Sequence, residues 1–146
     1  MSAAAPASKL LPLDEVGYQR LVAAQKGKAV LINFWATWCE PCRAEMPALA
    51  KLHAKLRAKG FNLITISADE PEDEPQARAF LAKSGINGPA YLKQAKNDDK
   101  FINSIEPKWS GALPATFLYD KAGKKVQSFI GEAEIDTIEA AISKLL

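Results

Sequence analysis

Phe34-Trp35-Ala36-Thr37-Trp38-Cys39-Glu40-Pro41-Cys42-Arg43-Ala44-Glu45-Met46-Pro47 contains both cysteines of this 146-residue chain and two of its three tryptophans. The run before it, Ala29 to Trp35, is apolar at nearly every position and rich in β-branched and aromatic side chains, as a strand buried on both faces is. After it, Met46, Leu49, Leu52 and Leu56 recur every three or four residues, the spacing of one helix face. The cysteines therefore fall where a buried strand turns into a helix.

That position sets their chemistry. Pro41 suits the first turn of a helix, where a missing N–H costs nothing and the fixed φ is already helical. Cys39 then lies just outside the helix, facing unpaired backbone N–H groups and the positive end of the dipole. Both favour the thiolate, which is the nucleophile. Cys42 comes three residues later, about one turn on and near enough to close a disulfide with Cys39. Such a pair can attack a substrate disulfide with its first sulfur and release the product with its second. Arg43 adds positive charge nearby, whereas Glu40 opposes thiolate formation at Cys39. A zinc site also uses Cys-X-X-Cys but normally needs four ligands. The one histidine, His53, lies eleven residues past Cys42 on the same helix, about 16 Å away by helical rise, and cannot complete a site with these thiols. We therefore expect no metal.

The segment Phe34 to Cys42 resembles the active-site segment of thioredoxin-fold proteins. Its extension, Arg43-Ala44-Glu45-Met46-Pro47, is similar to that of the TlpA/ResA branch, the extracytoplasmic thiol-disulfide oxidoreductases. The resemblance runs from about Leu10 to Leu146. It implies an α/β thioredoxin fold: a central mixed sheet flanked by helices, with an insertion before a strand that opens on a cis-proline. It also implies a Cys39 nucleophile, a Cys42 resolving thiol, the Glu40-Pro41 dipeptide between them and no cofactor beyond the Cys39–Cys42 disulfide. Leu113-Pro114-Ala115-Thr116 matches the family's cis-proline motif. By resemblance Pro114 is cis and Leu113 offers its backbone to an extended substrate segment, as in strand addition. Thioredoxin carries a buried aspartate, the proton acceptor for the resolving thiol, where this chain has Asn33. Asn33 cannot take a proton, and Glu45, three residues after Cys42 on the same side of the helix, is the replacement. ResA-like proteins have a glutamate at this place. A carboxylate there raises thiol pKa values and can relay the Cys42 proton.

Composition bounds the rest. The length suits one domain, placed at 10–146, and 48% hydrophobic with 25% charged residues is ordinary for a globular protein. A net charge of +2 without a basic cluster gives no reason to expect nucleic-acid binding. Residues 1–9 are rich in Ala, Pro and Ser and lack the charged start and apolar core of a signal peptide. They read as a flexible leader, such as would remain after a signal or anchor is removed. No apolar run reaches the length of a membrane span.

Taken in order, Leu13 to Gln25 reads as a short helix capped by Asp14 and stopped at Gly27. The active-site helix follows the buried strand and ends near Lys59-Gly60, bending at Pro47. Phe61 to Ser67 is the next strand, making a βαβ unit with parallel strands. Asp69-Glu70-Pro71-Glu72-Asp73-Glu74-Pro75 reads as a solvated acidic loop leading into a helix over Gln76 to Lys83. Ala90 to Lys93 reads as a short edge strand, and Asn97 caps a helix reaching Ile105. In this inserted region Trp109 is a candidate substrate contact, its alternative being cover for the core edge. Trp38 shields the disulfide face and joins Leu113, Pro114 and Trp109 as a candidate substrate-binding residue. Trp35 packs beneath the site. Leu113 to Tyr119, a turn over Asp120 to Gly123, Lys125 to Ile130 and a helix from Glu134 close the chain.

The resemblance implies a periplasmic or other extracytoplasmic reductant of protein disulfides, membrane-anchored in a longer protein. It also implies protein thiol or disulfide substrates such as apocytochrome c or copper-site proteins, and an upstream membrane electron donor of the DsbD/CcdA type. We expect a monomer. The same chemistry run as an oxidase or isomerase is the first alternative, although strongly oxidising relatives carry a histidine between the cysteines. A copper-binding metallochaperone on this fold would want Cys-X-X-X-Cys and a histidine near the cis-proline. A peroxiredoxin-type peroxidase would want an isolated cysteine in a Thr-X-X-Cys context. This chain has neither pattern.

Overall fold

The computed structural model describes residues 9–146, so the proposed leader lies almost wholly outside the described residues. At its centre is β2 (Ala29–Trp35), all seven residues of which are buried. It pairs in parallel with β3 (Phe61–Ser67) and antiparallel with β5 (Ala115–Tyr119). The sheet is mixed: β1 (Leu11–Leu13), β4 (Tyr91–Lys93), β3, β2, β5 and β6 (Lys125–Ile130), in that order.

Alternation along β2 explains its unbroken apolar run. Val30, Ile32 and Phe34 face one layer with Tyr18, Phe101, Trp109 and Phe117. Leu31 and Trp35 face the other, with Leu49, Leu52, Leu63, Leu118 and Ile142. Both sides of the strand are thus covered, as a central strand requires. The first layer carries α1 (Glu15–Ala24) and α4 (Asp98–Ile105); the second carries α2 (Glu40–Leu56), α3 (Glu74–Ser84) and α5 (Ile135–Ser143).

The caps follow from side-chain chemistry. Asp14 accepts the Gly17 N–H at 2.8 Å and Asn97 the Lys100 N–H at 3.0 Å, each satisfying a donor that the helix start leaves free. Gly85 takes φ +92° after α3, and the Ile86 N–H returns to the Leu81 carbonyl at 2.9 Å. That left-handed ending needs glycine. α2 runs through Pro47 without a break.

Two sequence expectations change here. Leu11–Leu13 is a strand, paired in parallel with Tyr91–Lys93, where the sequence suggested only a helix from Leu13. β4 consequently lies between β1 and β3 rather than at the edge. Three-residue strands are too short to show a period of two, so neither pairing is visible in composition.

Candidate functional site

Three chain segments meet at one end of the sheet: the carboxyl ends of β2 and β3, and the start of β5, whose Ala115 stands opposite Phe34. From β2 the chain goes to β3 on one side, while β5 covers the other. Crevices where connections diverge from the carboxyl ends of strands are where α/β folds place ligands.

Cys39 and Cys42 form a disulfide here, with Cα atoms 5.3 Å apart. Cys39 is the N-cap of α2, and its Sγ accepts the Cys42 backbone N–H at 3.4 Å. The donor that the helix start leaves free therefore points at the first sulfur, where it would stabilise a thiolate. Cys42 is fully buried and Cys39 nearly so. Pro41 sits in the first turn of the helix, as the sequence requires. Glu40 is exposed beside it.

The loop before Cys39 is fastened chiefly by Asp69, which by sequence reads as the first residue of a solvated loop. Asp69, only 3% exposed, accepts the Thr37 N–H at 3.0 and 3.1 Å and the Thr37 hydroxyl at 2.6 Å. Ser67 adds a fourth bond at 2.7 Å. Arg43 donates to the Thr37 carbonyl at 3.4 Å and lays its guanidinium over Phe80, 4.7 Å from the ring centroid. Glu74 is also buried: it accepts the Leu10 N–H at 2.8 Å and pairs with Arg78. The acidic run 69–75 is thus a solvated loop only in its middle. The sole sequence sign for Asp69 is its place just past the end of an apolar strand.

Glu45 lies one turn beyond Cys42 and accepts the Asn33 carboxamide at 3.1 Å. Burial pushes its carboxyl up from the ordinary 4.5 to about 7; the Asn33 hydrogen bond opposes the rise and the charge of Glu132 adds to it. Asn33 also donates to Thr116 at 3.0 Å, its cross-strand partner on β5. By sequence Thr116 enters only as part of the cis-proline motif, and Glu132 carries no signal. Glu40, Glu45, Glu132 and Glu134 together line a groove of about 550 Å³ beside the pair.

The Leu113–Pro114 peptide bond is cis. Pro114 is buried, and Leu113 is partly buried against both core layers, with no hydrogen bond from its backbone to another described residue. Trp38 is 70% exposed and forms part of the surface around the pair. Of the two readings of Trp109, substrate contact or cover for the core edge, its packing fits the second. Its ring packs 4.9 Å from Phe34 and 5.2 Å from Phe117, and its indole N–H is satisfied by the Ala112 carbonyl at 2.9 Å. At 5% exposure it is core. Trp35 is wholly buried beneath the site, against Phe80.

Known proteins are similar to this chain in sequence and in fold. The ResA thiol-disulfide oxidoreductase of Bacillus thuringiensis (strain Al Hakam) is 37% identical over 120 residues, covering 82% of this chain and 65% of the relative. The chain thus spans just under two thirds of that relative's length. A thioredoxin family thiol:disulfide interchange protein from Chlorobium tepidum superposes with a TM-score of 0.71 at 25% identity, over 84% of this chain and 83% of that one. A secreted thiol-disulfide isomerase from Corynebacterium glutamicum shares the fold with a TM-score of 0.74 at 21% identity, over 85% and 74%. A family model described as AhpC/TSA matches residues 1–128, a span holding the cysteine pair, the Asp69 clasp and the cis-proline. With that match and a thioredoxin fold built around a disulfide at a helix start, the chain belongs to the AhpC/TSA family.

Proposed function

We propose that this protein is a thiol-disulfide oxidoreductase that reduces protein disulfides outside the cytoplasm. The observation that carries the reading is the Cys39–Cys42 disulfide at the start of α2, with Cys39 as N-cap and Cys42 buried behind it. In the reduced protein the Cys39 thiolate attacks a substrate disulfide and expels one substrate sulfur. Cys42 then attacks Cys39, reforms the disulfide and releases the second substrate sulfur. Glu45 accepts the Cys42 proton as the thiol becomes a nucleophile.

The direction of electron flow is argued from charge. Glu40 and Glu45 flank the pair and disfavour the thiolate, so they destabilise the reduced form relative to the disulfide. A strong oxidant needs the opposite, a stabilised reduced form. The exposed Trp38 and the free backbone of Leu113 beside cis-Pro114 offer a surface for an extended segment of substrate.

Similarity to ResA proteins, and a fold shared with secreted proteins, support an extracytoplasmic site of action. The TlpA/ResA resemblance supports substrates such as the thiols of apocytochrome c, and a membrane donor of the DsbD/CcdA type. No helix among the described residues is long and apolar enough to cross a membrane. Trapping tests the central step. A Cys42→Ser protein, reduced and mixed with a disulfide-bonded protein substrate, should accumulate a mixed disulfide through Cys39. Cys39→Ser should accumulate none. Equal trapping by both would overturn the assignment of roles.

A further inference from the structure

We infer that Asn33 is a positioning residue for the release step, holding Glu45 ready for the Cys42 proton. The inference rests on the role of Glu45 in the proposed function.

Asn33 is wholly buried at the middle of the central strand. Its register partners are Thr65 on β3 and Thr116 on β5, so three polar side chains form one row across the sheet. The row lies on the face covered by α2, because Leu31 and Trp35, two residues either way from Asn33, pack in that layer. A row of this kind is costly in a core and calls for a reason. Its one outlet is Glu45: the Asn33 Nδ2 donates to Glu45 Oε1 at 3.1 Å and to Thr116 Oγ1 at 3.0 Å. The Asn33 Oδ1 and the Thr65 Oγ1 have no hydrogen-bond partner among the described residues.

This one-sided use of the amide suits the ionised form of Glu45. A carboxylate only accepts, so the NH₂ group must face it, even though Oδ1 is then left over. In the release step a proton leaves the Cys42 thiol for the Glu45 carboxylate. The Cys42 thiolate attacks Cys39 Sγ, the Cys39–substrate bond breaks, and its electron pair leaves on the substrate sulfur. Glu45 now carries a donor. Its other oxygen still accepts, so the Asn33 amide keeps hold of the protonated carboxyl. An asparagine can hold the carboxyl in either state and never competes for the proton, which an aspartate at this place would do.

The groups facing Glu45 make that hold consequential. Glu40 from its own helix, and Glu132 and Glu134 from the segment leading into α5, line the same groove, and no lysine or arginine lines it among the described residues. Asn33 is therefore the donor that keeps Glu45 able to ionise in acidic surroundings.

The test has two readouts. Carbon-13 NMR of labelled glutamate carboxyls follows the Glu45 midpoint in the oxidised protein. The pH profile of single-turnover reduction of a peptide disulfide follows the release step in the reduced protein. Asn33→Ala should raise the Glu45 midpoint by about one pH unit and move the profile upward with it. Asn33→Asp, of the same size and so the safer variant for folding, should split the titration into two coupled carboxyl steps. A Glu45 midpoint in both variants equal to that of the wild type would overturn the inference. If Glu45→Gln moves the profile and Asn33→Ala does not, Asn33 is merely structural and the proposed function stands. If Glu45→Gln leaves the profile unmoved, the proton role of Glu45 falls and that of Asn33 with it.

Discussion

Glu45 sets burial against charge, and the outcome should be measurable in the folding equilibrium as well as in exchange. Its folded carboxyl titrates near 7, above its value in an unfolded chain, so the folded protein holds this proton more tightly. The stabilisation from that proton is complete below the unfolded pKa and is lost as pH rises through about 7. Urea unfolding of the oxidised protein should show a decline across that window. In Glu45→Gln this part should flatten, by on the order of 2 kcal/mol after allowance for solvent screening. An unchanged slope would mean that Glu45 ionises freely. Two tryptophans, Trp109 and Trp38, divide between core and surface. Trp109→Ala should cost about 3–5 kcal/mol in unfolding experiments, as loss of a large buried ring does. Trp38→Ala should cost less than about 1 kcal/mol and instead weaken protein-substrate turnover through KM. Only the three-dimensional meeting of Trp109 with Phe34 and Phe117 tells them apart, and sequence carries no trace of that.

Among elements, β2 and α2 were legible because each repeats its pattern long enough to be read: seven buried residues in one, and Met46, Leu49, Leu52 and Leu56 in the other. The capping of α1 by Asp14 and of α4 by Asn97 was legible for the same local reason. What escaped were contacts made by register or tertiary approach. β1 has three residues and exists because Tyr91–Lys93 lies beside it. The Asp69 clasp joins residues 32 positions apart and looks, in one dimension, like the first acid of a solvated run. It gives a test at this scale. Asp69→Ala strands the Thr37 N–H and two hydroxyl donors and should cost on the order of 3 kcal/mol, with slower disulfide exchange as the loop before Cys39 loosens. Asp73→Ala, at an exposed neighbour in the same run, should stay within about 0.5 kcal/mol by urea unfolding. Equal losses at the two positions would show that Asp69 is no clasp.

For the molecule as a whole, the fold gathers at one end of the sheet everything that the proposed chemistry uses. β2 delivers the cysteine pair, β3 delivers Asp69 to hold the loop, and β5 follows directly on cis-Pro114 and carries Thr116 beside Asn33. The thioredoxin architecture could be read from the cysteine motif and the Leu113-Pro114-Ala115-Thr116 segment, because both are short, local and chemically constrained. The balance of charge around the pair could not, since Glu132 reaches Glu45 from nearly ninety residues away. Under the proposed function, that balance is what makes the protein a reductant. The reduction potential of the Cys39/Cys42 pair, measured in dithiothreitol and glutathione buffers, tests it most directly. A reductant should show a value near that of thioredoxin, about −270 mV, and a value near that of DsbA, about −120 mV, would contradict the reducing role.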